Sequence, residues 1–172
     1  SKEFIKIVQT VAKENDQTWE SCTTASTNAF DEYNGQDILF LDDLRGESLT
    51  VSDWLKLLDP YTISPISARY HNKMGSAKLI IITSTKEPIE FFSAAKGNIL
   101  EDIGQFVRRI DLLVSLDNDI QISEPTKNEQ QAKNLNFSFL RGQSFVFSKH
   151  EKFNKKNAMK KLVTTVIENM KW

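Results

Sequence analysis

The most constraining feature of this chain is the stretch Asp37-Ile38-Leu39-Phe40-Leu41-Asp42-Asp43. Four consecutive apolar residues followed by two carboxylates read as a strand buried on both faces that ends in chemistry. Strands of this kind belong to parallel sheets, whose ligands sit just beyond the carboxyl ends of the strands. A second such strand, Leu79-Ile80-Ile81-Ile82-Thr83-Ser84-Thr85, also ends in short polar side chains. Two buried strands that both deliver polar groups at their C-terminal ends make a nucleotide site the leading expectation.

Composition narrows the alternatives. With 172 residues, 40% of them hydrophobic, the chain can bury one substantial core and a small appendage. Lys+Arg at 22 against Asp+Glu at 23 leaves it near neutral, so nucleic-acid binding needs a local patch rather than overall charge. The single cysteine, Cys22, excludes an internal disulfide framework and fits a reducing compartment. No apolar run approaches a membrane span and no signal peptide is evident, so a soluble, cytoplasmic protein without membrane partners is expected.

Around the two strands, hydrophobic periodicity predicts the remaining elements. Lys2 to Lys13 spaces Phe4, Ile5, Ile7, Val8, Val11 and Ala12 as a helix. Thr18 to Thr23 reads as a short strand, and Ser26 to Asn34 as a polar connection anchored by Phe30 and Tyr33. Thr50 or Ser52 caps a helix with Trp54, Leu55, Leu57 and Leu58 on its apolar face, stopped by Asp59-Pro60. Tyr61 to Lys78 is polar and basic, with a hairpin turn supplied by Asn72 and Met74-Gly75. Pro88 to Phe92 forms a short helix with Ile89, Phe91 and Phe92 inward. Ile99 to Arg109 forms another, leading into a third apolar strand at Ile110 to Leu116. Asp117 to Asn136 is a polar loop, Phe137 to Phe147 a hairpin about Arg141-Gly142, and Ala158 to Met170 a basic amphipathic helix. This alternation points to an α/β fold with a mainly parallel sheet. The expected divisions are a core at 1–117, a polar loop at 118–136, and a hairpin-and-helix appendage at 137–172.

Each chemical motif competes with a bland reading. Asp42-Asp43 has the form of a Walker B pair, in which one carboxylate holds Mg²⁺ and the other orients water, although polar loops also hold paired acids. Thr83-Ser84-Thr85 is placed to reach a γ-phosphate, or is a strand end without a role. Arg69-Tyr70-His71-Asn72-Lys73 combines cations with a stacking ring, as suits single-stranded nucleic acid; a solvated loop is the commoner origin of such composition. Arg108-Arg109 ends a helix, where a cation satisfies the dipole, and an arginine finger is the sharper reading. Two histidines and one cysteine leave no zinc site. The lysines of the terminal helix belong to a surface helix to which no role is assigned.

Taken in order, Tyr33 to Arg45, Leu57-Leu58-Asp59-Pro60-Tyr61, Ala68 to Lys73 and Ile80 to Thr85 resemble superfamily 3 helicase domains. The likeness is to replication initiator (Rep) proteins of small bacterial plasmids and of circular single-stranded DNA viruses, over roughly Gly35 to Leu116. The resemblance implies an AAA+-like P-loop NTPase core using ATP and Mg²⁺. In it Asp42 would bind Mg²⁺ and Asp43 would activate water. Arg69, Tyr70, His71 and Lys73 would fall in the B-prime loop that grips single-stranded DNA within a ring-shaped homo-oligomer, a hexamer. Thr85 stands where the family's sensor asparagine lies, and Arg109 matches the arginine finger.

One departure stands out. No G-x-x-x-x-G-K-[ST] phosphate loop occurs in the chain. In the family that loop directly precedes a helix like Lys2 to Lys13, so Ser1 is either its last residue, a nucleotide ligand, or a residue with no such role. The chain would then be a piece of a larger protein, or its sheet rearranged, with little ATP hydrolysis expected from these residues alone. The expectation is the helicase portion of a replication initiator; the alternative is a non-hydrolysing module that binds DNA or partner subunits.

Overall fold

The computed structural model describes residues 2–24, 30–59, 64–67, 72–95, 102–117, 119–127 and 145–169. Three short strands form a parallel sheet in the order β1 (Ser21–Thr24), β2 (Ile38–Leu41) and β5 (Leu79–Ile82). Register runs residue for residue, Thr24 against Leu41 and Leu41 against Ile82, so the three strands end level with one another. As its sequence demands, β2 is the central strand and every one of its residues is buried.

Alternation along β2 assigns its two faces. Ile38 and Phe40 point to helix α1 (Lys2–Glu14), packing with Ile5, Val8, Ala12 and Trp19. Leu39 and Leu41 point to the opposite layer, made of α2 (Val51–Leu57), α3 (Pro88–Ser93) and the short α4 (Gly104–Val107). There Trp54, Phe91, Phe92 and Phe106 form one aromatic cluster, with Trp54 edge-on to Phe91 at 5.4 Å and Phe92 stacked on Phe106 at 4.5 Å. Phe30 and Tyr33 anchor their connection as expected, both buried.

Local chemistry sets the ends of the helices. Asp16 adopts φ 56°, and Gln17 N and Asp16 N return to Ala12 O and Lys13 O, which closes α1. The chain then doubles back, and Gln9 Nε2 donates to Trp19 O at 3.0 Å. Helix α1 therefore runs antiparallel to β1, with its N-terminus at the carboxyl end of the sheet. Thr50 is the cap of α2: its hydroxyl accepts from Asp53 N and donates to Asp53 Oδ2.

Elsewhere the structure departs from expectation. Asn72–Gly75 is a strand, β4, paired antiparallel with β3 (Ser64–Ser67), rather than a turn. Leu113–Leu116 is a strand, β6, but it joins an antiparallel sheet with β7 (Ile120–Lys127) and β8 (Phe145–Phe153) instead of extending the parallel one. Thus part of the expected polar loop is strand β7. The expected hairpin at 137–147 lies outside the described residues except for Phe145 to Phe147, which pair with Pro125 to Lys127. Pro125 is tolerated because β6 pairs only as far as Ser123, leaving the proline's donor-less edge unpaired by it. The helix expected from Ile99 is described only as α4, and Ile89 is 47% exposed rather than packed inward. The terminal helix α5 (Lys155–Asn169) lies along α1, with Val163, Val166 and Ile167 facing Val8 and Val11. No helix among the described residues is long and apolar enough to cross a membrane.

Candidate nucleotide site

Because β2 and β5 are in register, Asp42 and Thr83 leave the sheet side by side. Asp42 N donates to Thr24 O at 2.8 Å and Thr83 N to Leu41 O at 3.0 Å, so the parallel ladder holds both residues to the strand ends. There the Thr83 hydroxyl donates to Asp42 Oδ1 at 2.8 Å and accepts from Asp43 N at 2.9 Å. Asp43 sits at φ 50°, the left-handed region that short polar residues such as Asp tolerate best. That turn lifts its carboxylate into solvent, whereas Asp42 stays half-buried. Leu44 is buried immediately afterwards, and Trp54 Nε1 donates to Gly46 O at 2.8 Å, tying the following turn to α2.

The N-terminus of α1 lies at this same end of the sheet. The first-turn amides and positive dipole end of a helix make such a position favourable for phosphate. No group of three His, Cys, Asp or Glu side chains suited to a metal occurs among the described residues. Such a cage is not required for Mg²⁺ in nucleotide sites, which is held by one or two carboxylates together with waters and phosphate oxygens. Asp42 fits that demand: a carboxylate offers about four lone-pair positions, of which Thr83 takes one.

The other expected residues fall differently. Thr83, not Thr85, reaches the Walker-type acid; Thr85 is exposed beyond it. Arg109 is half-buried and its Nη1 donates to Gln105 O at 2.5 Å, which favours the helix-end reading of this residue. Its neighbour Arg108 is exposed. Lys73 lies in β4 opposite Ile66, on a hairpin that leads directly into β5. Ser1, Arg69, Tyr70 and His71 lie outside the described residues. The base of the hairpin is fastened at the other end of the sheet. Ser76 N donates to Tyr33 Oη at 3.2 Å, Lys78 pairs with Asp37 at 3.0 Å, and its ammonium lies 5.0 Å from the centre of the Trp19 ring.

A model of the RNA helicase family matches residues 1–86, half of the chain. The chain belongs to this helicase family. It is similar to a replication protein of Onion yellows phytoplasma (strain OY-M), 38% identical over 111 residues, which cover 63% of this chain and 29% of that protein. It is also similar to a replication-associated protein of Goose circovirus, 34% identical over 92 residues, covering 52% of this chain and 28% of the relative. The resemblance to Rep-type initiator helicase domains therefore holds, and this helicase chain spans under a third of the length of either relative. Thr83 was within reach of sequence reasoning. Aligning the two apolar runs Ile38-Leu39-Phe40-Leu41 and Leu79-Ile80-Ile81-Ile82 sets Asp42 opposite Thr83.

Proposed function

We propose that this chain is the motor portion of a replication initiator helicase, which in the intact protein hydrolyses ATP with Mg²⁺ and moves on single-stranded DNA as a ring-shaped homo-oligomer, a hexamer. The observation carrying this reading is the Asp42–Thr83–Asp43 arrangement at the level ends of two parallel strands, the end of the sheet toward which the direction of α1 sets its N-terminus. Asp42 would hold Mg²⁺, which supplies charge neutralisation on the phosphates. Asp43, exposed and turned away from the sheet, would orient the attacking water. Ser1 would belong to the phosphate loop ahead of α1, and Thr85 would serve as a sensor of the nucleotide.

Two further features support a P-loop NTPase core. All four residues of β5 are only partly buried although all are aliphatic. Among the described residues β5 pairs with β2 alone, so its free edge suits a further parallel strand leading into the phosphate loop. The β3–β4 hairpin, firmly based beside the sheet, is suited to carry Arg69, Tyr70, His71 and Lys73 to single-stranded DNA. Arg109 remains the finger candidate from the motif, with exposed Arg108 next to it as the better presented guanidinium.

The second reading, a non-hydrolysing module that binds DNA or partner subunits, is favoured by the absence of a G-x-x-x-x-G-K-[ST] sequence from these residues. DNA-stimulated ATPase activity separates the two, measured on this chain and on the longer protein extended upstream through its phosphate loop. Turnover in the longer protein, lost with Asp43→Asn, supports the motor. Silence of the longer protein supports the binding module.

A further inference from the structure

We infer that Thr83 is a positioning residue that sets the affinity of the nucleotide site for Mg²⁺. The inference rests on the motor reading above and assigns to Thr83 a role distinct from that of the sensor position Thr85. A threonine hydroxyl has a single hydrogen to donate and two lone pairs to offer. At Thr83 the Asp43 amide occupies a lone pair, and the hydrogen goes to Asp42 Oδ1. The direction of both bonds is fixed by chemistry, since a backbone N–H can only donate and the hydroxyl's one hydrogen is then left for the carboxylate oxygen.

Two degrees of freedom are removed at once. The bond to Oδ1 stops rotation of the Asp42 carboxylate, so its remaining lone pairs keep one aim. The bond from Asp43 N holds the peptide joining the two acids, and with it the left-handed turn at Asp43. Thr83 itself cannot drift, because its own amide is anchored to Leu41 O. One hydroxyl on the neighbouring strand therefore fixes the relative placement of both acids. A cation bound through Asp42 meets a preset ligand instead of one that must first be ordered.

Thr83→Val keeps the shape of the side chain and removes both bonds; Thr83→Ser keeps the hydroxyl. The protein to use is the replication protein extended upstream through its phosphate loop. The readout is binding of a fluorescent, non-hydrolysable ATP analogue as Mg²⁺ is titrated, together with hydrogen exchange at the Asp43 amide. Thr83→Val should raise the Mg²⁺ needed for half-maximal binding by about 10- to 100-fold, the usual cost of losing a partner that orients a metal ligand. Analogue binding at saturating Mg²⁺ should change little, Asp43 amide exchange should quicken, and Thr83→Ser should restore both. An unaltered Mg²⁺ requirement in Thr83→Val, with the wild-type protein binding normally, overturns the inference and leaves the motor reading standing. Wild-type protein that binds no Mg²⁺-nucleotide overturns the motor reading and the inference with it. Thr83→Ala is a second hydroxyl-free variant, and it decides the matter if Thr83→Val does not fold.

Discussion

Gly46 is the position where a single methyl group should do most damage. A Cβ there would lie 1.7 Å from Phe91 O, 2.8 Å from Phe91 C and 3.3 Å from Ala94 Cβ. Carbon and oxygen normally approach no closer than about 3.3 Å, so the overlap exceeds an ångström and falls on backbone, which no rotamer change relieves. Either the turn at Gly46–Ser48 or helix α3 must retreat. The first choice pulls Gly46 O from buried Trp54 Nε1, and the second opens the packing of Phe91 and Phe92 on Trp54. Overpacking costs about 1–3 kcal/mol, and stranding a buried indole N–H costs about 1–3 kcal/mol more. Gly46→Ala should therefore destabilise by about 3 kcal/mol, lowering Tm by roughly 6–12 °C for a domain of this size. Urea unfolding followed by tryptophan fluorescence gives the number directly. A free-energy change within about 0.5 kcal/mol of wild type, the range of an ordinary surface substitution, would refute the close approach of α3 to this turn.

Three other outcomes are expected. On the proposed motor reading, Asp43→Asn should abolish ATP hydrolysis by the intact protein yet leave nucleotide binding largely in place, because Asn tolerates φ 50° as Asp does; normal turnover would remove Asp43 from the water-orienting role. Lys73→Ala should weaken single-stranded DNA binding with basal ATPase less affected, and an unchanged affinity at fixed salt would count against the hairpin as the DNA grip. Asp111 keeps much of its surface in solvent, yet partial desolvation raises its carboxyl above the ordinary 3.8, so the folded state holds that proton somewhat more tightly than the unfolded chain. Its contribution to stability is then full below pH 3.8 and is lost as pH climbs through the raised folded value. Asp111→Asn should remove that part of the acid-side slope in denaturation midpoints, and an identical slope would assign it elsewhere.

Strong local signals carried most of the parallel sheet and its helices. The all-apolar runs of β2 and β5, the 3.6-residue period of α1 and the Thr50 cap each specify their element without help from distant residues. Strand β7 was hidden for the opposite reason. Ile120-Gln121-Ile122-Ser123-Glu124-Pro125-Thr126-Lys127 carries a bulge at Ile122/Glu124 that breaks its alternation, and a proline that argues against a strand. Pairing decides it, with β6 over Ile120 to Ser123 and with β8, distant in sequence, along its whole length. The site shows the same division. Asp42 and Asp43 are visible as a motif, whereas the contact of Thr83 with Asp42 depends on strand register, a property of two segments jointly.

The edge of β5 left unpaired among the described residues also has a practical consequence. Leu79–Ile82 presents a row of backbone groups along four partly exposed aliphatic residues, with no proline or charge inside the strand to discourage a new neighbour. A chain with these residues should be prone to pair through that edge with another copy, and its solubility should fall steeply with concentration. Light scattering across a concentration series reads this out, and association that does not grow with concentration would argue that the edge is covered.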